Sequence, residues 1–457
     1  MLEHLIMPQD AGLFKSQRRK FLRFFEIVYG LSPRTPNFLR YVAVYTHELW
    51  YNKTIKKKGL MIMPSKEMYA LGSQASVIRD LFAYGQEQAA VVGRENVFDF
   101  SIGNPTVPVP ACVKEAIEEI VATRQSVDVH GYTAAAGDLA VRRGLADYMN
   151  QTYDAGVSAD NFYMTCGAAA SLTVTLKALV ESPEDEVIVV APFFPEYTVF
   201  IRNAGAKEVV LPPDTEHFQI SLEAMEQAIT PHTRAIIVNS PNNPAGTVYS
   251  ADTYAKLAAL LTKKSADIGH SIYLISDEPY REIIYDGLPI LYVPKFYANT
   301  IICYSYSKSL SLPGERIGYI LVPDCAADAK AVYTAVCGAG RAMGFVCAPH
   351  LFQDVVLKCM GKLSDMNIYD ENRKLLYNGL KEMGYECVYP SGAFYLFVKS
   401  PEPDANAFSE KAKKLNLLIV PADSFGCPGY VRISYCVDPD MIRRSFAAFK
   451  TLIESYA

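Results

Sequence analysis

The chain has 457 residues, half of them hydrophobic and 20% charged, which fits a soluble globular protein able to bury a large core. Its net charge of −5 is too mild to indicate a nucleic-acid partner. The ten cysteines form no CxxC pair and no zinc-like Cys/His spacing, and neither a secretory signal nor a bilayer-length apolar run is read, so reduced thiols, a cytoplasmic location and no membrane partner are expected.

Residues 1–62 differ from the rest. Up to Lys58 there are 11 Lys/Arg against 4 Asp/Glu, and the stretch holds the single tryptophan, Trp50, and no cysteine. "FKSQRRKFLRFF" has the make-up of a basic amphipathic helix that could lie on a membrane or on RNA, but the expected reading is a poorly packed extension, or upstream sequence read from an early start codon, in which case Met61 or Met63 would be the natural start. From residue 63 the composition is even. "PTVPVP" (105–110) is extended or turn-like, because proline cannot continue a helix. "TCGAAASLTVTLKALV" (165–180) opens a helix at Gly167, with Leu172, Leu176 and Leu179 at helical spacing.

Short apolar runs then alternate with helical stretches: "EVIVVAP" (186–192), "AIIVNSP" (235–241), "SIYLISD" (271–277) and "TIICYS" (300–305). Between the second and third, Tyr254, Leu257, Leu260 and Leu261 share a helix face. Continuous apolar strands separated by helices predict an α/β fold with a mostly parallel sheet covered on both faces. From about residue 365 the pattern is helix, strands around "GAFYLFVKS" and "YVRISYCV", then helix, an α+β arrangement suggesting a second, smaller domain. The expected division is an extension at 1–62, a small domain from 63–118 and 365–457, and a large domain at 119–364.

Open parallel sheets bind ligands beyond the carboxyl ends of their strands. The four exits carry Phe193, Phe194 and Tyr197; Asn242 and Asn243; Asp277 and Tyr280; and Ser305, Ser307 and Lys308. A lysine among small hydroxyls suits a Schiff base with an aldehyde, and desolvation would free its amine. Asp277 can hold a pyridine nitrogen protonated, making the ring an electron sink. Tyr280 and Asn243 can bond a ring oxygen, Phe194 can stack on the ring face, and Ser305, Ser307 and Arg316 can donate to a phosphate. The helix start at Gly167 is either an ordinary helix start or a further anion site. Aldehyde, pyridine, phenolic oxygen and phosphate together describe pyridoxal phosphate. No GxGxxG or GxxxxGK is present, so dinucleotide and P-loop readings lack their fingerprints.

"SYSKSLSLPGERIGY", "DEPY", "NSPNNPAG" and "PFFPEY", in the context of the strand exits, resemble the class I/II aminotransferases, pyridoxal phosphate enzymes of fold type I, across roughly residues 63–457. The resemblance implies a large domain built on a mostly parallel seven-stranded sheet between helices. It implies Lys308 as the Schiff-base lysine, Asp277 on the pyridine nitrogen, Tyr280 and Asn243 on the ring oxygen, Phe194 as the stacking residue, and Ser305, Ser307 and Arg316 on the phosphate. "TCGAAASL" adds phosphate contacts from Gly167, Ala168 and Ala169, and "HGYTAAAGD" gives Tyr132 as the tyrosine that reaches a neighbouring subunit's phosphate in a homodimer. "YVRISY" implies that Arg432 forks onto the substrate α-carboxylate, with Gly103 of "FSIGNP" beside it. Ala169 replaces the lysine that some bacterial aspartate aminotransferases place there for the substrate side chain; Arg281 or Arg341 could supply a charge instead. The implied reaction moves an amino group from an L-amino acid to a 2-oxo acid such as 2-oxoglutarate or pyruvate. A carbon–sulfur β-lyase shares these motifs, and a non-enzymatic regulator on the same body is a third reading.

Overall fold

The computed structural model describes residues 65–73 and 76–456; the basic 1–62 stretch and its expected lack of packing lie outside them. The chain divides into two compact units, Met1–Ala75 and Ser76–Ala457. In the first, Lys66–Ser73 is a helix without a buried residue.

After a two-residue strand β1 (Phe98–Asp99), seven strands form the central sheet: β2 (Phe162–Thr165), β3 (Glu186–Val190), β4 (Lys207–Leu211), β5 (Thr233–Asn239), β6 (Tyr273–Asp277), β7 (Thr300–Ser305) and β8 (Gly318–Leu321). Their order is β2-β8-β7-β6-β5-β3-β4. All are parallel except β8, which runs against both neighbours.

The unbroken apolar strands are explained by burial on both faces. Ile188, Val190, Ile236, Val238 and Leu274 pack with Tyr254, Leu257 and Leu261 of the helix Ala251–Ile268. The alternating positions Val187, Val189, Ala235, Ile237 and Ile275 pack with Leu172 and Leu176 of the helix Ala168–Leu179 and with Tyr197 and Ile201 of Glu196–Ala204. Successive strand side chains point to opposite faces, so two covered faces require apolar residues at every position.

The remaining strands are β9 (Cys387–Val388), β10 (Tyr395–Lys399), β11 (Leu417–Leu418), β12 (Val420–Pro421) and β13 (Tyr430–Ser434). Four of them make an antiparallel sheet, β12-β13-β10-β9, while β11 pairs with β1. Helices Met366–Glu382 and Pro439–Glu454 bury Tyr369, Leu376, Leu380, Ile442, Phe449 and Leu452 in the core that also holds Phe394, Leu396, Val431 and Ile433. Helix Ala111–Thr123, which starts as the prolines of 105–110 end, instead packs Val113, Ala116 and Ile120 with Val141, Leu145, Ile302 and Leu321 on the central sheet. The parallel strands and the antiparallel sheet with its helices match the α/β fold read from the sequence.

Candidate active site

Because β5, β6 and β7 run side by side in parallel, their carboxyl ends share one edge. The register places Asn239 opposite Asp277 and Asp277 opposite Cys303, two residues before Ser305. The polar residues that end these strands therefore converge without long side chains.

Asp277 is 4% exposed. Its Oδ2 accepts hydrogen bonds from the Tyr197 hydroxyl and, at 3.4 Å, from Asn239 Nδ2. Its Oδ1 is buried with no partner. Such an atom forfeits hydration and calls for a donor. Burial pushes the carboxyl pKa up to about 7, against the lowering effect of Tyr197. Asn239 also bonds the Asp277 carbonyl at 2.9 Å and accepts the Asn243 N–H at 2.8 Å, so one buried amide fixes both residues.

After β7 the chain makes one short helical turn, Tyr306–Ser309, capped by Ser305, whose Oγ accepts from the Ser307 N–H. This turn lifts Lys308 off the strand line. Its Nζ donates to the Gly103 carbonyl at 2.6 Å and lies 5.4 Å from the centre of the Phe394 ring. Although the residue keeps some exposure, burial of the amine pushes its pKa down to about 8, with Cys436 opposing and Arg432 and Arg316 assisting.

Ser305 Oγ and Ser307 Oγ are 2.7 Å apart, and Arg316 Nη1 lies 3.5 Å from Ser307 Oγ. Arg316 adopts a left-handed φ of +53°, uncommon for a side chain of its size. Gly167, the N-cap of the helix Ala168–Leu179, has φ +85°, and a Cβ there would stand 2.8 Å from Arg316 Nη2. Glycine thus lets an arginine approach the free N–H groups of a helix start, with Ala168 and Ala169 in its first turn.

Arg432 enters from β13 and is 2% exposed. Its Nη1 donates to Asn243 Oδ1 at 3.1 Å and its Nη2 to the Ser101 carbonyl at 2.5 Å, while its Nε is buried without a partner. Its guanidinium faces the Tyr395 ring at 4.7 Å. Tyr280 and Tyr395 meet hydroxyl to hydroxyl at 2.7 Å.

The fold thus gathers Gly103, Gly167, Asn243, Asp277, Tyr280, Ser305, Ser307, Lys308, Arg316 and Arg432, from segments far apart in the chain. Phe194 sits beside the group, its ring edge-on to Tyr197 at 5.8 Å. Tyr132 is not among them; it is 87% exposed. Arg281 does not supply a free charge. It is buried and spent on Glu278 at 2.6 Å, on the Tyr319 hydroxyl at 2.9 Å and on the Tyr304 ring at 4.4 Å. Arg341 lies exposed in the last turn of the helix Ala329–Ala342. Sequence reasoning gave no role to Asn239, Tyr197, Tyr395 or Ser101; the "PFFPEY" and "GAFYLF" segments contained two of them, but only the tertiary pairing reveals their partners.

Residues 95–449 match the family Aminotransferase class I and II. The chain belongs to that family. An aminotransferase of known structure from Eubacterium rectale is 56% identical and superposes with a TM-score of 0.85, covering 87% of this chain and all of that one. The aspartate aminotransferase of Thermotoga maritima is 29% identical over 388 residues, 84% of this chain and 98% of its own. A probable N-acetyl-LL-diaminopimelate aminotransferase of Bacillus subtilis is 29% identical over 365 residues, 77% of this chain and 88% of its own. The protein is therefore an aminotransferase of fold type I, a transferase. Among the described residues no helix is long and apolar enough to cross a membrane.

Proposed function

We propose that this aminotransferase holds pyridoxal 5'-phosphate at the edge formed by β5, β6 and β7, and moves an amino group from an L-amino acid to a 2-oxo acid, 2-oxoglutarate or pyruvate. The observation that carries this reading is the unpartnered, buried Asp277 Oδ1, whose environment calls for a cationic N–H donor such as a protonated pyridine. The other groups fit as well. Lys308 offers an amine of lowered pKa, Asn243 and Tyr280 offer ring-oxygen donors, and Phe194 offers an aromatic face. Ser305, Ser307, Arg316 and the helix start at Gly167, Ala168 and Ala169 form a cationic, donor-rich cup for phosphate.

When bound, the cofactor supplies an aldehyde to capture the amino nitrogen and a cationic ring to accept electrons from the α-carbon. The protein's own groups do the rest. Asp277 keeps the proton on the ring nitrogen. Arg432, with two nitrogens already fixed by Asn243 and Ser101 and its Nε free, grips the substrate carboxylate next to Gly103. Lys308, whose amine has its pKa lowered to about 8 by burial, would take the α-proton and return it to the carbon that the cofactor's aldehyde contributes. Tyr132 serves the phosphate of a second copy in a homodimer, for which its exposure leaves it available. The division into residues 63–118 with 365–457 and residues 119–364 is part of the same proposal, as is a cytoplasmic setting.

The test is Lys308→Ala. The variant is expected to fold with an unchanged far-ultraviolet spectrum and to lose amino transfer across a panel of donors offered with 2-oxoglutarate or pyruvate. Transfer above a trace would reject the assignment.

A further inference from the structure

We propose that Tyr395 is a positioning residue for the reaction: its hydroxyl donates to the Tyr280 hydroxyl and so strengthens the hydrogen bond that Tyr280 gives the cofactor's ring oxygen. The inference rests on the cofactor site proposed above.

The two phenols are buried, 5% and 2% exposed, and their oxygens are 2.7 Å apart. Their rings meet nearly at right angles, at 79° with centres 5.7 Å apart, so the oxygens are brought together by packing rather than by chance rotation. Tyr395 is held on three sides. Its ring lies 4.7 Å from the Arg432 guanidinium, it packs 5.1 Å from Phe394, and a Cβ at Gly103 would fall 2.1 Å from its hydroxyl. The backbone of the "SIGN" segment is therefore closed down on this oxygen. The groups facing the pair are Asp277, Arg432, Lys308, Cys436, Tyr197 and Tyr369.

A hydroxyl carries one proton and accepts with its lone pairs. If Tyr280 gives its proton to a ring oxygen, its lone pairs face Tyr395. The Tyr395 proton then has Tyr280 as its acceptor, because the neighbouring Arg432 is a donor only. A phenol that accepts such a bond is a stronger donor, and the effect is larger in a buried setting. Stronger donation stabilises negative charge on the ring oxygen. It thereby lowers the pH at which the lysine-bound cofactor loses the proton shared between its nitrogen and that oxygen.

The roles of hydroxyl and ring separate by substitution. Tyr395→Phe removes the hydroxyl and keeps the face under Arg432; Tyr395→Leu removes both. The experiment is a pH titration of the visible spectrum of the cofactor-loaded wild type, Tyr395→Phe and Tyr280→Phe, with kcat and KM for the amino donor and cofactor affinity by dialysis. Tyr395→Phe is expected to raise the spectral midpoint by about half a pH unit, in the same direction as Tyr280→Phe but less. Its KM should stay within about twofold, whereas Tyr395→Leu raises KM about fivefold or more through loss of the cation–π face. A midpoint shift in Tyr280→Phe with none in Tyr395→Phe overturns the inference and leaves the cofactor site standing. A Tyr395→Phe protein whose only change is weaker cofactor binding, with the midpoint unmoved, overturns it too. Absence of a lysine-bound cofactor spectrum in the wild type overturns the site itself and the inference with it.

Discussion

Asp277 and Lys308 carry opposite charges in a place built for neither charge alone. In the cofactor-free protein Asp277 has its pKa raised from 3.8 to about 7 by burial, so the native state holds its proton more tightly than the unfolded chain does. The stability this contributes is present below about pH 4 and is lost as pH rises through about 7. Lys308 is lowered from 10.5 to about 8, so below pH 8 its buried charge costs stability, and the cost is relieved as pH rises toward 10.5. Together they predict a trough between pH 7 and 8 in the urea midpoint of the cofactor-free protein. Asp277→Asn should flatten the acid limb and Lys308→Met the alkaline limb; parallel pH curves for all three proteins would contradict this. These two residues were legible because strand exits in a parallel sheet are where ligands bind, and each stands at or just after the end of its strand. Asn239 was not, since an amide ending a strand shows nothing of its bonds to Asp277 and Asn243 until the register is known. Tyr197 stood among the exit residues without a role, for the same reason.

At the scale of elements, the helix Ala168–Leu179 depends on its first turn. Ser171 Oγ lies 2.7 Å from Thr165 Oγ1 and 3.2 Å from the Tyr319 carbonyl, tying the helix start to β2 and β8. Gly167→Ala would place a methyl against Arg316 and force an L-residue into a backbone region that is essentially glycine's alone, at a cost on the order of 1–3 kcal/mol. Cofactor affinity is expected to fall roughly tenfold by equilibrium dialysis, with less change in KM for the amino donor, because Arg432 is on another element. An unchanged affinity would remove this turn from the phosphate site. The helix was readable from leucine spacing and the glycine before it. The short turn Tyr306–Ser309 was not, because four residues carry no periodicity; it is fixed by the Ser305 cap and by Tyr306 N–H bonding to the Ile317 carbonyl.

Within the second unit, distant parts of the chain are joined through Arg373, a residue the sequence gave no reason to notice. It is 1% exposed on the helix Met366–Glu382. Its two terminal nitrogens grip Asp286 at 2.7 and 2.8 Å, Asp370 lies 2.6 Å away, and the Pro390 carbonyl accepts at 2.9 Å. Asp286 follows Tyr280 by six positions, so this fork anchors the segment leaving the active site to the helix of the tail. Arg373→Ala leaves two partly exposed carboxylates facing each other and removes their charged hydrogen bonds, which should cost about 1.5–3 kcal/mol, read from the denaturant midpoint. Hydrogen bonding to Arg373, together with Tyr389, holds the Asp286 carboxyl down at about 2. Its contribution is present above about pH 4 and is lost as pH falls toward 2. The Arg373→Met variant should therefore show a shallower acid limb than the wild type, and an equal slope would exclude the fork as its source. The alternation of strands and helices was legible across the molecule because burial on two faces writes itself into every strand position. Long-range joins such as this one were not, because a lone arginine in a helix reads as surface.

The proposed carboxylate clamp draws on Ser101, Asn243 and Arg432, three points spread over most of the described chain. During synthesis the lysine and its strand leave the ribosome long before the arginine does. On the proposed assignments, every side chain that would hold the coenzyme has been synthesised well before the arginine that would grasp an amino acid. Stalled chains of graded length, scored for colour and for donor-induced bleaching, should separate coenzyme uptake from amino-acid capture, and simultaneous onset would show that the last strand is needed for both.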